Sequence, residues 1–270
     1  MPELPMLATC LVGWRDVRAA CARHHLVTTF GRHDVASLYK RSRVGAFWLT
    51  ISMAITIGAI GLVFGPLFGV PLHDFLPYFA AGSIVWGFAS SCLNGGCSAF
   101  IAASGVILQV RMPLSVHVLR LMYRDVIILA HNIAILPVVF IVCAQPVSWR
   151  AVLFLPGMAL LVINLGWMML VLAILCARFR DVSQMVHNAV QVLFFVTPVM
   201  WNPAAMPSRR AGLALAYNPF FHLISIARDP LLGRLPTLTN WSVGAALALV
   251  GWVVALALFG RYRNRITYWL

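Results

Sequence analysis

The sequence is short of charge, short of acid and almost without lysine. Only 10% of its 270 residues are charged, seven are Asp or Glu, and a single lysine, Lys40, stands among nineteen arginines. A soluble domain carries about 25% charged residues, and a buried core does not account for the deficit. With 61% hydrophobic residues and a mean hydropathy of +0.89, the chain reads as an integral membrane protein. The lone lysine follows Tyr39, which excludes a GxxxxGK[ST] phosphate loop. ATP hydrolysis by that route is not expected here.

Other absences narrow the chemistry. The six cysteines, at positions 10, 21, 92, 97, 143 and 176, form no CxxC pair. They read as small hydrophobes rather than as a disulfide or metal framework, so no metal ligands are expected. The acids Glu3, Asp16, Asp34, Asp74, Asp125, Asp181 and Asp229 are read at span ends or in loops. A proton-coupled transporter needs carboxylates or a histidine relay inside the membrane, and often an inverted repeat; neither is seen. His131 and Asn132 are the nearest intramembrane candidates and read as helix-to-helix hydrogen bonding. "AASG" at 102–105 lacks the first glycine of a GxSG motif, and there is no HExxH or carboxylate pair. Catalytic residues are not expected. Residues 1–43 have no short apolar core ending in a cleavage site, so the N-terminus is expected to stay in the cytoplasm. The net charge of +13 would suit nucleic acid, but the cations are scattered among apolar runs, and no nucleic-acid partner is expected.

What is present are long uncharged runs, at 44–73, 75–110, 126–149, 151–177, 182–208 and 235–260. About 20 residues cross the hydrocarbon, so the pattern predicts an all-α integral membrane fold with six transmembrane helices. The spans are placed at about 44–70, 76–103, 125–147, 151–176, 183–201 and 238–260. With both ends inside, 15 cations fall on the cytoplasmic side and 5 outside, as the positive-inside rule requires. Before the first span, residues 1–43 form a cytoplasmic interface region. Trp14, Val17 and Cys21 share an apolar stripe there, with Arg15, Asp16, Arg18 and Arg23 facing elsewhere, which suits an amphipathic helix lying flat on the membrane. Lys40, Arg41 and Arg43 clamp its end against the first span. Residues 261–270 form a cytoplasmic tail.

The outer segment 202–234 is too interrupted by proline to cross and too apolar for a solvated loop. Two short re-entrant helices fit it, hinged at Asn218-Pro219. Its arginines Arg209, Arg210, Arg228 and Arg234 are expected at headgroup level, since an arginine at the bilayer centre costs about 2.5–3.5 kcal/mol. Span two, "AAGSIVWGFASSCLNGGCSAFIAASG", is dense in small residues and reads as a packing surface. Asp181 and Ser183 suit a helix start. Pro198, in "FFVTPVMW", is expected to kink span five. Aromatics near the interfaces, among them Phe47, Trp48, Phe194, Phe195, Trp201, Phe220 and Phe221, include belt residues; rings facing a pore would suit sugars.

The ordered set "YKRSRVGAFWLTISMAI", "ARFRDV", "FFVTPVMW", "NPFFHLISIARDPLLG" and "RYRNRITYWL" resembles the membrane subunits of ABC-2-type polysaccharide exporters, most of all permeases for lipid-linked O-antigen. The resemblance covers about residues 26–270 and departs at Ala46, where proline or another residue is expected. It implies a homodimer in the bacterial inner membrane working with two separate ATPase subunits. Those subunits would bind ATP and Mg, leaving this chain without a cofactor. It implies export of an undecaprenyl-linked polysaccharide and contact with membrane lipids. Arg111, Arg120, Arg178, Arg180 and Asp181 would lie towards the ATPases. The channel and gate would draw on Phe47, Trp48, Phe194, Phe195, Pro198, Trp201, Asn218, Pro219, Phe220 and Phe221. The alternatives are a capsule, teichoic-type, lipid or drug exporter of the same superfamily, or a membrane assembly factor that transports nothing.

Overall fold

A computed structural model describes residues 6–39, 47–203 and 215–270 of the chain. Among these residues the secondary structure is helical, with no strand. The helices are α1 (Met6–Ala22), α2 (His24–Tyr39), α3 (Phe47–Leu67), α4 (Leu72–Ser98), α5 (Ser104–Gln109), α6 (Ser115–Ile133), α7 (Ile135–Val142), α8 (Phe154–Arg178), α9 (Asp181–Val196), α10 (Pro219–Leu231) and α11 (Leu238–Trp269). A short 3-10 turn, Trp149–Leu153, leads into α8. The cationic clamp Lys40, Arg41 and Arg43 lies outside the described residues, as do Arg209 and Arg210.

Five of the described helical segments are long and apolar enough to cross a membrane: Phe47–Leu67, Leu72–Ser98, Ser115–Val142, Trp149–Arg178 and Leu238–Trp269. The expected span over 183–201 is instead α9, 16 residues long. At 1.5 Å per residue it reaches about 24 Å, less than the roughly 30 Å of hydrocarbon. Pro198 does not kink this helix but ends it. The residue before a proline is driven out of the helical region, and Thr197 is accordingly extended (φ −82°, ψ 134°). Two further boundaries differ. The third span starts at Ser115 rather than about 125, and the last helix runs on to Trp269 through what was read as a separate tail.

The earlier start of α6 draws Arg120, Arg124 and Asp125 into the helix, so the reading that no carboxylate lies within a span fails at Asp125. Only 1% of it is exposed. Its charge is met by the Arg124 guanidinium at 2.8 Å and by a hydrogen bond from the Ser91 hydroxyl at 3.0 Å. Arg120 likewise faces Asp34 of α2, 3.5 Å away. A polarity count reads charges singly; here pairing removes much of what would keep them in water.

α4 sits at the centre, buried along most of its length. Its small residues are a packing surface: a Cβ at Gly96 would come within 2.8 Å of the Met169 Cα on α8, and one at Gly82 within 3.2 Å of the Val199 carbonyl. α3 packs on α4 through Gly61 and is otherwise largely bare. α8 and α11 interlock reciprocally: Trp252 lies over Gly166, and Trp167 lies over Gly251. The Trp252 indole donates to the Ile163 carbonyl (3.1 Å), and buried Asn164 donates to the Gly244 carbonyl (3.1 Å). A Gly251→Ala substitution therefore pushes a methyl into the Trp167 ring and should lower stability by about 1–3 kcal/mol. Gly58→Ala, at a helical position with nothing within 4 Å, should be neutral or slightly stabilising. Thermal unfolding in detergent, followed by loss of monodisperse protein, checks the pair; equal behaviour would contradict the interlock.

α1 does not bury the face its apolar pattern indicates. Gly13, Asp16, Val17 and Ala20 face the protein, while Trp14 and Cys21 are exposed. Gly13 on α1 and Gly260 on α11 permit close contact between the two helices, at Leu256 and Thr9 respectively. Asp16, 2% exposed, is a three-way tie. One carboxylate oxygen accepts from the Ser115 backbone N–H (3.0 Å) and hydroxyl (2.8 Å), and the other meets Arg263 at 2.9 Å. This joins α1 to the start of α6 and the end of α11.

Candidate functional site

α9 has three distinct faces. Residues three, four and seven apart share a side of a helix, and Gln184, His187, Asn188 and Gln191 form one such stripe, all four exposed. They pair along it: the Gln184 amide donates to the Asn188 carbonyl oxygen (3.1 Å), and the Gln191 amide lies 3.1 Å from His187 Nε2. Phe195 continues the line towards the end of the helix with 67% of its surface exposed. Met185, Ala189, Val192 and Val196 make a second exposed stripe that is wholly apolar. The remaining side, through Val186, Val190, Leu193 and Phe194, packs into the core. Lipid suits the apolar stripe. A row of amides and an imidazole is poorly placed against hydrocarbon, where unpaired polar groups are expensive. The sequence carries this signal within the uncharged run 182–208, where neither charge nor aromatic content marks it.

The end of α9 is held by a buried polar knot. Pro198 and the break at Thr197 leave carbonyls without helical partners. Arg228 of α10, only 3% exposed, donates to the Pro198 carbonyl at 2.6 Å and to the Asp229 carboxylate at 3.1 Å. Its guanidinium also lies 4.2 Å from the centre of the Tyr78 ring. The Tyr78 hydroxyl reaches the carbonyls of Pro198 (3.0 Å) and Trp201 (3.1 Å), between which its one proton is shared. Arg228 is thus enclosed by protein rather than by water; carboxylate, carbonyl and ring replace the water it gives up.

Asn218-Pro219 is the start of α10. Pro219 occupies the first turn, where its missing N–H is harmless, and the Asn218 side chain accepts from the Phe220 and Phe221 amides at 3.0 and 3.3 Å. The same side chain donates to the Thr197 hydroxyl (3.0 Å), so one asparagine caps α10 and ties it to the end of α9. His222 bridges Asn240 (2.8 Å) and the Ala216 carbonyl (3.0 Å), joining α10 to α11.

The family model of ABC-2 type transporters matches residues 28–232. That is most of the chain. It belongs to the ABC-2 type transporter family. An O-antigen export system permease protein RfbA from Myxococcus xanthus is 24% identical over 217 residues, 78% of this chain and 82% of the relative. Two proteins of the same name from Klebsiella pneumoniae are 20% identical, over 245 and 248 residues, each covering 89% of this chain and 93% of the relative.

In this ABC-2 type transporter the residues singled out from sequence fall into separate groups. Phe47, Trp48 and Phe195 are exposed; Phe194, Trp201, Pro219 and Phe221 are half-buried; Pro198, Asn218 and Phe220 are buried within the chain. Phe194 and Phe220 meet on Trp86, with ring centres 6.0 and 5.8 Å away, so they form a core cluster behind α9. Trp201 turns back to donate to the Phe195 carbonyl (3.0 Å). Among the described residues His131 makes no hydrogen bond to another helix. Its Nδ1 lies 2.8 Å from the carbonyl of Ile127 on its own helix, and its ring meets Phe47 edge to face. Arg178, Arg180 and Asp181 are exposed at the turn between α8 and α9. α9 starts at Asp181 as expected, although no side chain caps it by a hydrogen bond. Arg178 stacks over Trp269 at 5.4 Å, which links this turn to the end of α11. Arg111 is exposed between α5 and α6.

Proposed function

We propose that the chain is the permease subunit of an ATP-driven exporter that carries a lipid-linked, O-antigen-like polysaccharide across the bacterial inner membrane. Two copies would form the pathway, with both termini in the cytoplasm and two separate ATPase subunits below them. The polar stripe of α9 carries this reading. Amides and an imidazole exchange hydrogen bonds with sugar hydroxyls, and an exposed ring such as Phe195 offers a flat apolar surface to a sugar face. These contacts tolerate sliding because none fixes a particular sugar. In this reading α9 with the turn after it serves as the sixth crossing. α10 forms the described part of an outer gate over 202–234, latched by Arg228; residues 204–214 of that expected gate lie outside the described residues. The names of the relatives support a polysaccharide cargo, and the family supports an ATPase partner.

Thiol labelling tests the pathway. In a background without the native cysteines, a cysteine at Asn188 should react with a membrane-impermeant reagent, and one at Val192 should not. Cysteines at Leu215 and Leu223, both buried, should be shielded at rest and react faster while glycan is passing. Uniform labelling at all four positions would contradict both the lining face and the gate.

The exposed turn Arg178–Asp181 supports docking of the ATPase. Arg178→Glu with Arg180→Glu should uncouple hydrolysis from export while leaving membrane insertion intact, since cations elsewhere still set the topology. Normal export by a correctly inserted double variant would remove the docking role. Arg120 is engaged by Asp34 and supports such a contact only by positioning α2 against α6.

A further inference from the structure

A groove of about 560 Å³ opens where α1, the α5–α6 connection and the last turns of α11 converge. Ile107, Val110 and Leu114 give it an apolar wall, and Arg23, Arg111 and Arg263 are also among the residues that line it. Arg263 is held in place by Asp16 at 2.9 Å. Among the described residues no carboxylate pairs with Arg23 or Arg111. The groove therefore has an excess of positive charge beside a greasy surface.

Its depth in the bilayer follows from α11. The stretch from Leu238 to Gly260 contains no charged residue, and the first cations after it are Arg261, Arg263 and Arg265. Those 23 uncharged residues rise about 34 Å at 1.5 Å each, which matches the roughly 30 Å hydrocarbon layer. Arg263 then lies at the level of the lipid phosphates. A soluble anion would leave the apolar wall unused, and a zwitterionic headgroup would leave the charge unmatched.

We propose that this groove binds an anionic phospholipid of the adjoining leaflet. Its phosphate sits among Arg23, Arg111 and Arg263, and its acyl chain lies along Ile107, Val110 and Leu114. Basic pockets between membrane helices select anionic headgroups in this way. The bound lipid bridges α1 to the α5–α6 connection, two segments that Asp16 and Ser115 already join deeper in the protein.

Native mass spectrometry of the purified full-length chain, titrated with phosphatidylglycerol or phosphatidylethanolamine of matched acyl chains, tests the proposal. One phosphatidylglycerol per chain should be retained, at least about tenfold more tightly than phosphatidylethanolamine. Arg23→Ala with Arg111→Ala should weaken it about thirtyfold, roughly fivefold for each cation near a bilayer surface. Arg23→Lys with Arg111→Lys should keep most of the affinity, since charge is retained. Arg15→Ala with Arg18→Ala removes the same charge from the exposed side of α1 and should have little effect. Equal affinity for the two lipids, or an equal loss in the Arg15 and Arg18 variant, would overturn the site. Displacement of the lipid by an equimolar polyprenyl pyrophosphate or by inorganic phosphate would overturn its assignment to phospholipid.

Discussion

Arg228→Met should be the most damaging single substitution in the described structure. The methionine fills much of the same volume but abandons the Pro198 carbonyl, the Asp229 carboxylate and the Tyr78 ring together. Removing one member of a buried ion pair costs about 3–5 kcal/mol, because the other charge stays behind without compensation. Much of that loss should fall on the corner between α9 and α10, so the outer segment should loosen before the rest of the protein melts. Arg228→Lys should fare little better. An ammonium is a compact charge and does not reproduce the fork that reaches a carbonyl and a carboxylate at once. Adding Asp229→Leu to Arg228→Met removes the stranded charge and should recover part of the stability, though not export. Thermal unfolding and thiol accessibility at Leu223 read the two effects separately. Unchanged values for Arg228→Met would show that the knot is not a latch.

Substituting leucine for Gln184, His187, Asn188 and Gln191 together separates a lipid-facing helix from a pathway. Leucine is more favourable in a membrane helix than the groups it replaces. If this stripe faced lipid, the variant would insert and fold as well as the parent and transport normally. If it faces glycan and water, insertion and folding stay intact while export falls by at least about tenfold, the equivalent of one or two lost hydrogen bonds in the passing state. Leucines on the neighbouring Met185, Ala189 and Val192 stripe should leave export close to normal. Surface glycan per inserted molecule is the quantity to compare. Equal export from the two variants would remove α9 from the pathway.

Hydropathy made the membrane class and five helical segments long and apolar enough to cross legible, because a span announces itself by the absence of charge over about 20 residues. It failed where charge is paired rather than absent. Arg124 with Asp125 and Arg228 with Asp229 are neighbours whose burial together only the fold shows, and Arg120 with Asp34 is a cross-helix pair whose partner only the fold reveals. The α1 face is hidden from the sequence for the same reason: Asp16 is inside because Arg263 and Ser115 come from far along the chain to meet it. Proline told where α9 breaks but not that the break would be a stop, since the choice depends on Arg228 and Tyr78 receiving the freed carbonyls. Asn218-Pro219 was legible as a junction, and its capping chemistry is local enough to have been read as a helix start. The polar stripe of α9 was also legible, at a spacing of three and four residues.

The most direct measurement reconstitutes the chain in sealed vesicles with and without a candidate ATP-binding cassette subunit. Lipid-linked O-antigen-type glycan is supplied on the ATPase side, and the glycan that becomes accessible on the far side is followed. The account predicts transfer only when both proteins and ATP are present, with no hydrolysis by this chain alone. ATP hydrolysis by the isolated chain, or transfer that proceeds equally without it, would contradict the account.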